Sequence, residues 1–404
     1  MSSDAKSNTK VAYILHYFPV LSETFVFDEI IWIRKLGVDA RIFAFDKPFA
    51  AVMHKEAREL QEETYYVSNP KASPLSFLKV LASNLAFFVS SPVKFSSYFR
   101  KYFFKIGKKE FSQIFYLGKL IKKYKPQYLH AHFAYLSAVS AMIISSFTKI
   151  PFIVTIHARD MFVDNEYLEE IIQKAQYIIV KSNYNKQYLI NKHSSVSIDK
   201  VRVIPCGVDS DKFVTSESRI EGGIKIVSVG RLVEKKGFTY LLKACKSLQE
   251  KGVRFKCEIY GDGPLKESLS LEIKESSLSA SVFLKGVVTR EQLIDILAES
   301  DIFVLPSIID SEGDTEAMPV VLKEAMASAK AVVATTTAGI PELINCGEDG
   351  ILIPQKDEKA LAEAMFALIN DEGLRLRLGN NARKKIIQDF LLSKNVRMIT
   401  ELLR

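Results

Sequence analysis

The sequence has few cysteines, and they do not form the pattern of a metal or redox site. Four of the 404 residues are cysteine, and no two of them make a CxxC pair. No group of cysteines and histidines has the spacing of a zinc finger, so the sequence argues against structural zinc and dithiol redox chemistry. This cysteine usage fits a reducing, cytosolic compartment.

Long hydrophobic runs are also missing. The longest uncharged run in the most aromatic region covers residues 80–93, which is 14 residues, whereas a membrane-spanning helix needs about 20. The first ten residues are polar and lack the apolar core of a signal peptide. We therefore expect no membrane-spanning segment and no secretion signal.

The net charge of +8 is confined to one segment. Residues 71–125 contain twelve Lys or Arg, one acid (Glu110) and 13 aromatic residues, so the rest of the chain has a net charge of −3. Cations mixed with aromatic rings suit the interface of an anionic membrane. One alternative is a set of helices that pack on a sheet and expose an ordinary basic face. The other is a nucleic-acid surface, but nothing elsewhere in the sequence supports nucleic-acid binding.

Apolar runs alternate with helical patterns in both halves of the chain. The predicted strands are VAYILHYFP, ARIFAF, YLHAHF, PFIVTIH, YIIVKS and KVRVIPCG in the first half, and IKIVSVGRL, RFKCEIYGDG, SVFLKG, DIFVLPS and AVVATT in the second. This alternation predicts α/β architecture with parallel sheets covered on both faces. We predict Rossmann-like domains over residues 1–207 and 224–385, a linker over 208–223, and a C-terminal helix over 386–404 that packs back on the N-terminal domain.

The second half contains two motifs at predicted strand ends, where ligands bind in such sheets. GRLVEKKG (residues 230–237) directly follows a strand, and its cations suit a diphosphate, although a solvated loop has the same composition. In EAMPVVLKE (residues 316–324), Pro319 is expected in the first turn of a helix over residues 320–327, whose N-terminus favours an anion. Glu316 and Glu324 alone are equally consistent with two surface glutamates.

Histidines follow several strands of the first half. His157 ends FIVTIH, where it is either an active-site residue or a buried hydrogen-bonded histidine. His130 and His132 alternate on one strand and therefore point to one face, and no third ligand with suitable spacing makes them a metal site. Asp160 is expected either to orient a substrate or to cap the next helix.

The ordered motifs resemble those of family 4 glycosyltransferases of the GT-B fold. The series is GRLVEKKG, GDGPL, PS (306–307), the Glu-x7-Glu element, TTTAGIPELI and GILIP, and it covers the second half. FPVLSETFVFDEI, HAHFA and TIHARD are similar to the bacterial exopolysaccharide subgroup, of the colanic-acid type. The resemblance implies two Rossmann-like domains that face a central cleft.

The resemblance also implies the activity and the site. It implies metal-independent, retaining transfer of a hexose from a nucleotide-sugar, with UDP favoured, to a lipid-linked or polysaccharide acceptor. Arg231 and Lys236 are expected on the donor diphosphate, Glu316 and His157 on the sugar, and Glu324 on the ribose. The expected donor-binding residues are Gly230, Arg231, Lys236, Gly261, Leu265, Met318, Pro319, Val320 and Glu324, and the expected acceptor-binding residues are His16, Ser22, Glu23, His132 and Asp160.

One departure from the family pattern concerns the sugar. The family usually has glycine after the first Glu, where this chain has Ala317, so the choice of hexose is open. The basic segment would bring the enzyme to its acceptor by peripheral contact with the inner face of the plasma membrane. The alternatives are an epimerase or phosphorylase of the same fold and a non-catalytic assembly partner recruited to the membrane.

Overall fold

The computed structural model describes residues 9–48, 53–67, 74–213 and 223–404. The chain forms two compact units. The first comprises Met1–Val180, Lys186–Ile204 and Val396–Arg404, and the second comprises Lys181–Asn185 and Pro205–Asn395. Residues 214–222 of the predicted linker and residues 71–73 of the basic segment lie outside the described residues.

The first unit is built on a seven-stranded parallel sheet. Its strands are β1 Lys10–Tyr17, β2 Asp39–Asp46, β3 Tyr65–Tyr66, β4 Tyr128–His132, β5 Phe152–Thr155, β6 Tyr177–Val180 and β7 Val201–Val203. Its helices are α1 Thr24–Lys35, α2 Lys55–Glu62, α3 Pro74–Ser90, α4 Pro92–Tyr102, α5 Lys108–Tyr124, α6 Leu136–Thr148, α7 Ala158–Phe162, α8 Leu168–Lys174 and α9 Asn183–Lys192, of which α9 begins in residues grouped with the second unit. The strand order is β3-β2-β1-β4-β5-β6-β7, so the order reverses between β1 and β4.

The second unit has a six-stranded parallel sheet. Its strands are β8 Ile224–Val229, β9 Phe255–Tyr260, β10 Val282–Gly286, β11 Ile302–Leu305, β12 Ala331–Thr335 and β13 Ile351–Ile353. Its helices are α10 Phe238–Glu250, α11 Lys266–Glu275, α12 Arg290–Ala298, α13 Val320–Ala327, α14 Ile340–Leu343, α15 Glu358–Asn370, α16 Glu372–Asp389 and α17 Leu392–Leu402, of which α17 ends in residues of the first unit. The strand order β10-β9-β8-β11-β12-β13 reverses between β8 and β11.

Both faces of each sheet are covered, as the apolar strands predict. In β1, the five residues from Val11 to Leu15 are all buried, although a strand directs successive side chains to opposite faces. β11 and β12 are buried along their whole length. The predicted α/β class with two parallel sheets is confirmed, and crevices at the two reversals of strand order are where ligands bind in such sheets.

Candidate active site

Two glycine-containing loops of the second unit form one cluster at the carboxyl ends of β8 and β9. The amide of Gly230 donates to Tyr260 O at 2.9 Å, and the amide of Leu265 donates to Leu232 O at 3.0 Å. A methyl group on Gly261 would lie 1.9 Å from Gly230 O, so only glycine permits this approach. GRLVEKKG and GDGPL, two separate motifs of the sequence, therefore build a single surface.

Gly237 attaches this cluster to the end of β11. Its φ is +68°, and a Cβ atom there would lie 1.9 Å from Pro306 O. The loop after β8 and the loop after β11 thus meet where the strand order of this sheet reverses. That is the position at which open parallel sheets bind nucleotides.

Cations and carboxylates face each other in this cluster. Lys236 Nζ lies 3.0 Å from Glu316 Oε1, and Lys235 Nζ lies 3.0 Å from Asp314 Oδ2. Burial favours a raised pKa for Glu316, but the ammonium groups of Lys236 and Lys235 outweigh it and lower that pKa below its ordinary value. The Arg231 side chain is exposed. The surface therefore combines two paired lysines with an accessible guanidinium group, which suits a diphosphate.

Helix α13 begins where the sequence predicts. Pro319 is its N-cap residue and Val320 its first residue, so the amides of its first turn point toward the loop that carries Glu316. Glu324 is buried on this helix, and Met318 belongs to a core cluster that also contains Leu322 of α13. Burial of Glu324 excludes the alternative of two ordinary surface glutamates.

His157 occupies the carboxyl end of β5 in the first unit. It is half-buried and is the N-cap residue of α7. Its amide donates to Asp160 Oδ2 at 2.7 Å, and Asp160 is fully buried. Asp160 therefore caps α7, and the expected direct contact of Asp160 with an acceptor does not fit its burial.

Three further predicted acceptor residues lie after or within β1. His16 is half-buried, and burial lowers its pKa. Ser22 is exposed and Glu23 is half-buried just before α1. Burial, with the nearby Asp160 carboxylate, raises the pKa of Glu23 to about 7. A carboxyl group with that pKa can exchange a proton near neutral pH.

A buried polar cluster lies behind His157. Tyr13 OH donates to Glu29 Oε1 at 2.9 Å, and the same oxygen lies 3.2 Å from His132 Nε2 and 3.3 Å from His130 Nδ1. His130 and His132 point to one face, as predicted. His132 is fully buried, however, so the predicted direct contact with an acceptor does not fit its position.

Glu29 is the residue that the sequence analysis missed. Glu29, His130 and His132 place one ligand atom each within 4.8 Å of one another, which is close enough to hold a metal ion. The expectation that no third ligand joins the two histidines was therefore wrong. A signal was present, because Glu29 falls on the apolar face of α1 between Val26 and Ile33, where a carboxylate needs partners.

Two family models match consecutive parts of the chain. Residues 22–212 match the model described as Glycosyltransferase Family 4, and residues 209–385 match that of Glycosyl transferases group 1. The chain belongs to these glycosyltransferase families. The strand-order reversal of the second sheet, the Gly230 loop cluster and His157 lie inside the matched regions, whereas β1 of the first sheet precedes them.

Curated relatives include exopolysaccharide enzymes. The chain is 36% identical over 209 residues, 51% of each chain, to the putative colanic acid biosynthesis glycosyltransferase WcaL of Salmonella typhimurium. It is 35% identical over 206 residues, again 51% of each chain, to the amylovoran biosynthesis glycosyltransferase AmsK of Erwinia amylovora. The chain thus spans about half the length of these curated relatives.

Solved structures share the fold over nearly the whole chain. HepE of Anabaena, solved in complex with UDP, matches with a TM-score of 0.74 at 18% identity and covers 98% of this chain and 99% of its own. Sucrose-phosphate synthase of Thermosynechococcus elongatus matches with a TM-score of 0.75 at 18% identity over 98% of both chains. These likenesses establish the GT-B fold.

Among the described residues, no helix has the length and hydropathy needed to cross a bilayer.

Proposed function

We propose that this protein is a retaining glycosyltransferase of exopolysaccharide biosynthesis. It transfers a hexose from a nucleotide-sugar, with UDP as the favoured nucleotide, to a lipid-linked or polysaccharide acceptor. The observation that carries the proposal is the cluster of Arg231, Lys236 and Glu316 at the strand-order reversal of the second sheet. HepE, solved with UDP-glucose, and a relative named as a galactosyltransferase acting on GlcNAc-diphosphoundecaprenol support the donor and acceptor classes.

The proposed reaction exchanges one bond at the anomeric carbon for another. The bond between that carbon and the diphosphate oxygen breaks, and the nucleoside diphosphate leaves with the electron pair. The acceptor hydroxyl oxygen bonds to the same face of the sugar, and its proton passes to the departing phosphate oxygen. Arg231, Lys236 and the N-terminus of α13 stabilise the negative charge that develops on the leaving group.

Metal independence is part of the proposal. Two cationic side chains and a helix N-terminus at the diphosphate supply the charge that a divalent ion supplies elsewhere. The family resemblance assigns Glu316 and His157 to the sugar. It assigns the ribose hydroxyls to Glu324, which, unlike the fully buried Asp160 and His132, keeps 5% of its surface exposed and can accept their hydrogen bonds.

The test is ligand-observed NMR with UDP-, GDP- and ADP-sugars, in the presence of a chelator. We expect one class of donor to bind and binding to fall at least tenfold in Arg231→Ala. The matched control is Arg254→Ala. Arg254 is also exposed, but it directly precedes β9 and therefore lies at the amino ends of the strands, away from the donor cluster at their carboxyl ends. No binding by a folded protein, or binding only after metal is added, would contradict the proposal.

Peripheral membrane attachment is the second part of the proposal, and α3 carries it. One face of α3 packs inward, with the Phe87 ring 5.4 Å from that of Phe115. The opposite face presents a row of large apolar side chains to solvent, with Phe77 70% and Leu85 61% exposed. The row, here called the α3 stripe, comprises Phe77, Leu78, Leu81, Leu85 and Val89.

Exposed cations lie in the same segment, on α3, on α4 and at the start of α5. They are Lys79, Arg100, Lys108 and Lys109; Lys101 and Lys105 are also exposed but pair with Glu170 and Glu166. Apolar side chains bordered by cations fit an anionic lipid surface, where each cation near the surface contributes about 1 kcal/mol. The N-terminus of α5 also lies near the candidate acceptor residues, because the charges of Glu110 and Lys109 act on His16. Attachment through α3 would therefore bring a lipid-linked acceptor to this end of the first unit, on the cytoplasmic face of the membrane.

Vesicle sedimentation tests the attachment. We expect binding to vesicles of phosphatidylcholine with phosphatidylglycerol, weaker binding to phosphatidylcholine alone, and loss of binding in Leu81→Ser/Leu85→Ser. The matched control is Leu271→Ser/Leu376→Ser, two leucines that are more than half exposed on the second unit. Two outcomes would contradict the attachment. In the first, the control variant loses vesicle binding as much as the stripe variant does. In the second, the wild-type protein does not bind vesicles and instead forms a dimer that the stripe substitutions dissociate.

A further inference from the structure

Four charged side chains of alternating sign form a continuous row, here called the charge row, in the second unit. Asp314 Oδ2 lies 3.0 Å from Lys235 Nζ, which in turn lies 3.9 Å from Glu316 Oε1. The same Glu316 oxygen lies 3.0 Å from Lys236 Nζ. These side chains are between 5% and 21% exposed, so water screens the charges only in part. Glu316 therefore lies between two ammonium groups, of which the resemblance assigns only Lys236 to the donor.

Backbone hydrogen bonds fix the Asp314 end of the charge row. Asp310 Oδ1 accepts the amides of Glu312 at 3.0 Å and Asp314 at 2.8 Å, and the amide of Asp310 donates to Asp314 O at 2.9 Å. The amide of Ile308 donates to Lys235 O at 2.9 Å, which attaches the loop after β11 to the loop after β8. Lys235 and Asp314 are thus held by both loops, and the fold itself sets the position of the Lys235 ammonium group.

The Lys236 end of the charge row lies at the donor loop. A methyl group on Gly230 would lie 3.0 Å from Lys236 Cε, so the aliphatic part of Lys236 packs over the loop after β8. In the proposed function Lys236 contacts the diphosphate and Glu316 contacts the sugar. A diphosphate at Lys236 brings negative charge next to the Glu316 carboxylate, and a largely buried carboxylate in that position needs a cation to stay charged. Lys235 is the cation within reach.

We propose that Lys235 is a positioning residue: anchored by Asp314, it keeps Glu316 paired with a cation when the donor diphosphate engages Lys236. Glu316 then remains an acceptor for the sugar hydroxyls while the diphosphate is bound. Burial favours a raised pKa for Glu316, yet the ammonium groups of Lys236 and Lys235 together lower it, in agreement with this arrangement. The inference rests on the proposed function, because it takes Lys236 as the contact of the diphosphate and Glu316 as that of the sugar.

Direct contact between Lys235 and the diphosphate is the alternative, and it makes a different prediction. In that arrangement Lys235 contributes to nucleotide binding whichever residue occupies position 316. If Lys235 acts through Glu316 instead, its contribution disappears once the charge of Glu316 is removed. A double-mutant cycle between the two sites measures this difference.

The cycle uses a charge-neutral change at the Lys235 site. Lys235→Met/Asp314→Asn removes the cation together with its anchor and leaves the net charge unchanged. Isothermal titration calorimetry, with chelator and about 0.15 M salt, measures the affinity for whichever of UDP, GDP and ADP binds the wild type most tightly. We expect this variant to bind about fivefold more weakly, the size typical of one partly exposed ion pair. Added to Glu316→Gln, the same two substitutions should cause no further loss.

The matched control removes another ion pair of the same unit. Lys385 Nζ lies 3.3 Å from Asp349 Oδ2, with side chains 15% and 6% exposed, but Asp349 precedes β13 and lies at the amino ends of the strands. Lys385→Met/Asp349→Asn should therefore leave the affinity within about twofold of wild type. Lys235→Arg keeps the cation and should bind the nucleotide as the wild type does, whereas Lys235→Met should not. Rescue by charge alone is not expected of a residue that only packs.

Two results would overturn the role of Lys235. One is an equal loss of affinity from Lys235→Met/Asp314→Asn with Glu316 present and with Glu316→Gln, which would indicate direct contact with the diphosphate. The other is an unchanged affinity in the variant that keeps Glu316. If the double variant does not fold, Lys235→Met with and without Glu316→Gln completes the same cycle. Failure of the proposed function would be seen separately, because no nucleoside diphosphate would then bind the folded wild type.

Discussion

Glu23 should make the stability of the first unit depend on pH in a defined direction. Its pKa is raised from the ordinary 4.5 to about 7 by burial and by the nearby Asp160 carboxylate. Between these two pH values the folded state holds a proton that the unfolded state has lost. By linkage, stability therefore falls as pH rises from about 4.5 to about 7, and the full cost of ionising Glu23 is present above pH 7.

The size of this effect follows from the pKa. One pKa unit corresponds to about 1.4 kcal/mol, so the rise gives an upper limit of about 3 kcal/mol. Glu23 is half-buried, and solvent screening reduces this to about 1–2 kcal/mol. For a unit of about 200 residues, that free energy corresponds to a shift of roughly 2–8 °C in Tm.

The assay compares Glu23→Gln with the unaltered chain in thermal unfolding at pH 5 and pH 8. We expect the variant to have the higher Tm at pH 8 and the difference to shrink at pH 5. Glu59→Gln is the matched control, because Glu59 is an exposed glutamate on α2 of the same unit, and it should show no such dependence. A Tm difference between Glu23→Gln and wild type that does not change with pH would refute the reasoning.

Three further predictions concern the second unit. Burial lowers the pKa of Lys323, whose Nζ donates to Cys206 O at 2.6 Å, to about 8. Between about pH 8 and 10.5 the unfolded state therefore binds more protons than the folded state, so the wild type should gain stability relative to Lys323→Met in urea denaturation as the pH rises. A stability difference that stays constant over this range would contradict the prediction. Gly237→Ala should lower the free energy of unfolding by about 2–4 kcal/mol in urea denaturation, because its Cβ would meet Pro306 O. The matched control is Gly252→Ala, which also has positive φ but nothing within 4 Å, and it should lower that free energy by about 1 kcal/mol. Equal losses in the two variants would count against the close approach at Gly237. Ala317→Gly should let the protein bind a wider set of hexose donors in NMR competition, and an unchanged donor set would remove Ala317 as a determinant of sugar choice.

Much of the architecture could be predicted from local patterns. Eleven of the thirteen strands in the described residues coincide with predicted apolar runs, because burial on both faces of a parallel sheet leaves such runs in the sequence. β3 and β13 were missed as strands. They are two and three residues long, and β7, which also has three residues, was predicted only because the longer run KVRVIPCG contains it.

The pairing of charges in the donor cluster could not be predicted. Lys235 and Asp314 are 79 residues apart, and their contact depends on how the loops after β8 and β11 meet. The resemblance assigned Lys236 and Glu316 to a donor, yet nothing in it indicated that they form an ion pair with each other. Composition likewise predicted a basic aromatic segment, but only the packing of α3 against α5 reveals which apolar residues remain exposed.

Depth in the fold decides which histidines can touch a substrate. The alternation of His130 and His132 correctly predicts that they share a face, but periodicity is the same for a covered face as for an open one. Glu29, on α1, contacts both side chains on β4, and this cover leaves each of them fully buried. His157 lies just beyond β5, where the strand gives way to α7, and is half-buried. Of these three histidines, His157 is therefore the one that a ligand can reach directly, and the burial of the other two could not be predicted from their alternation on β4.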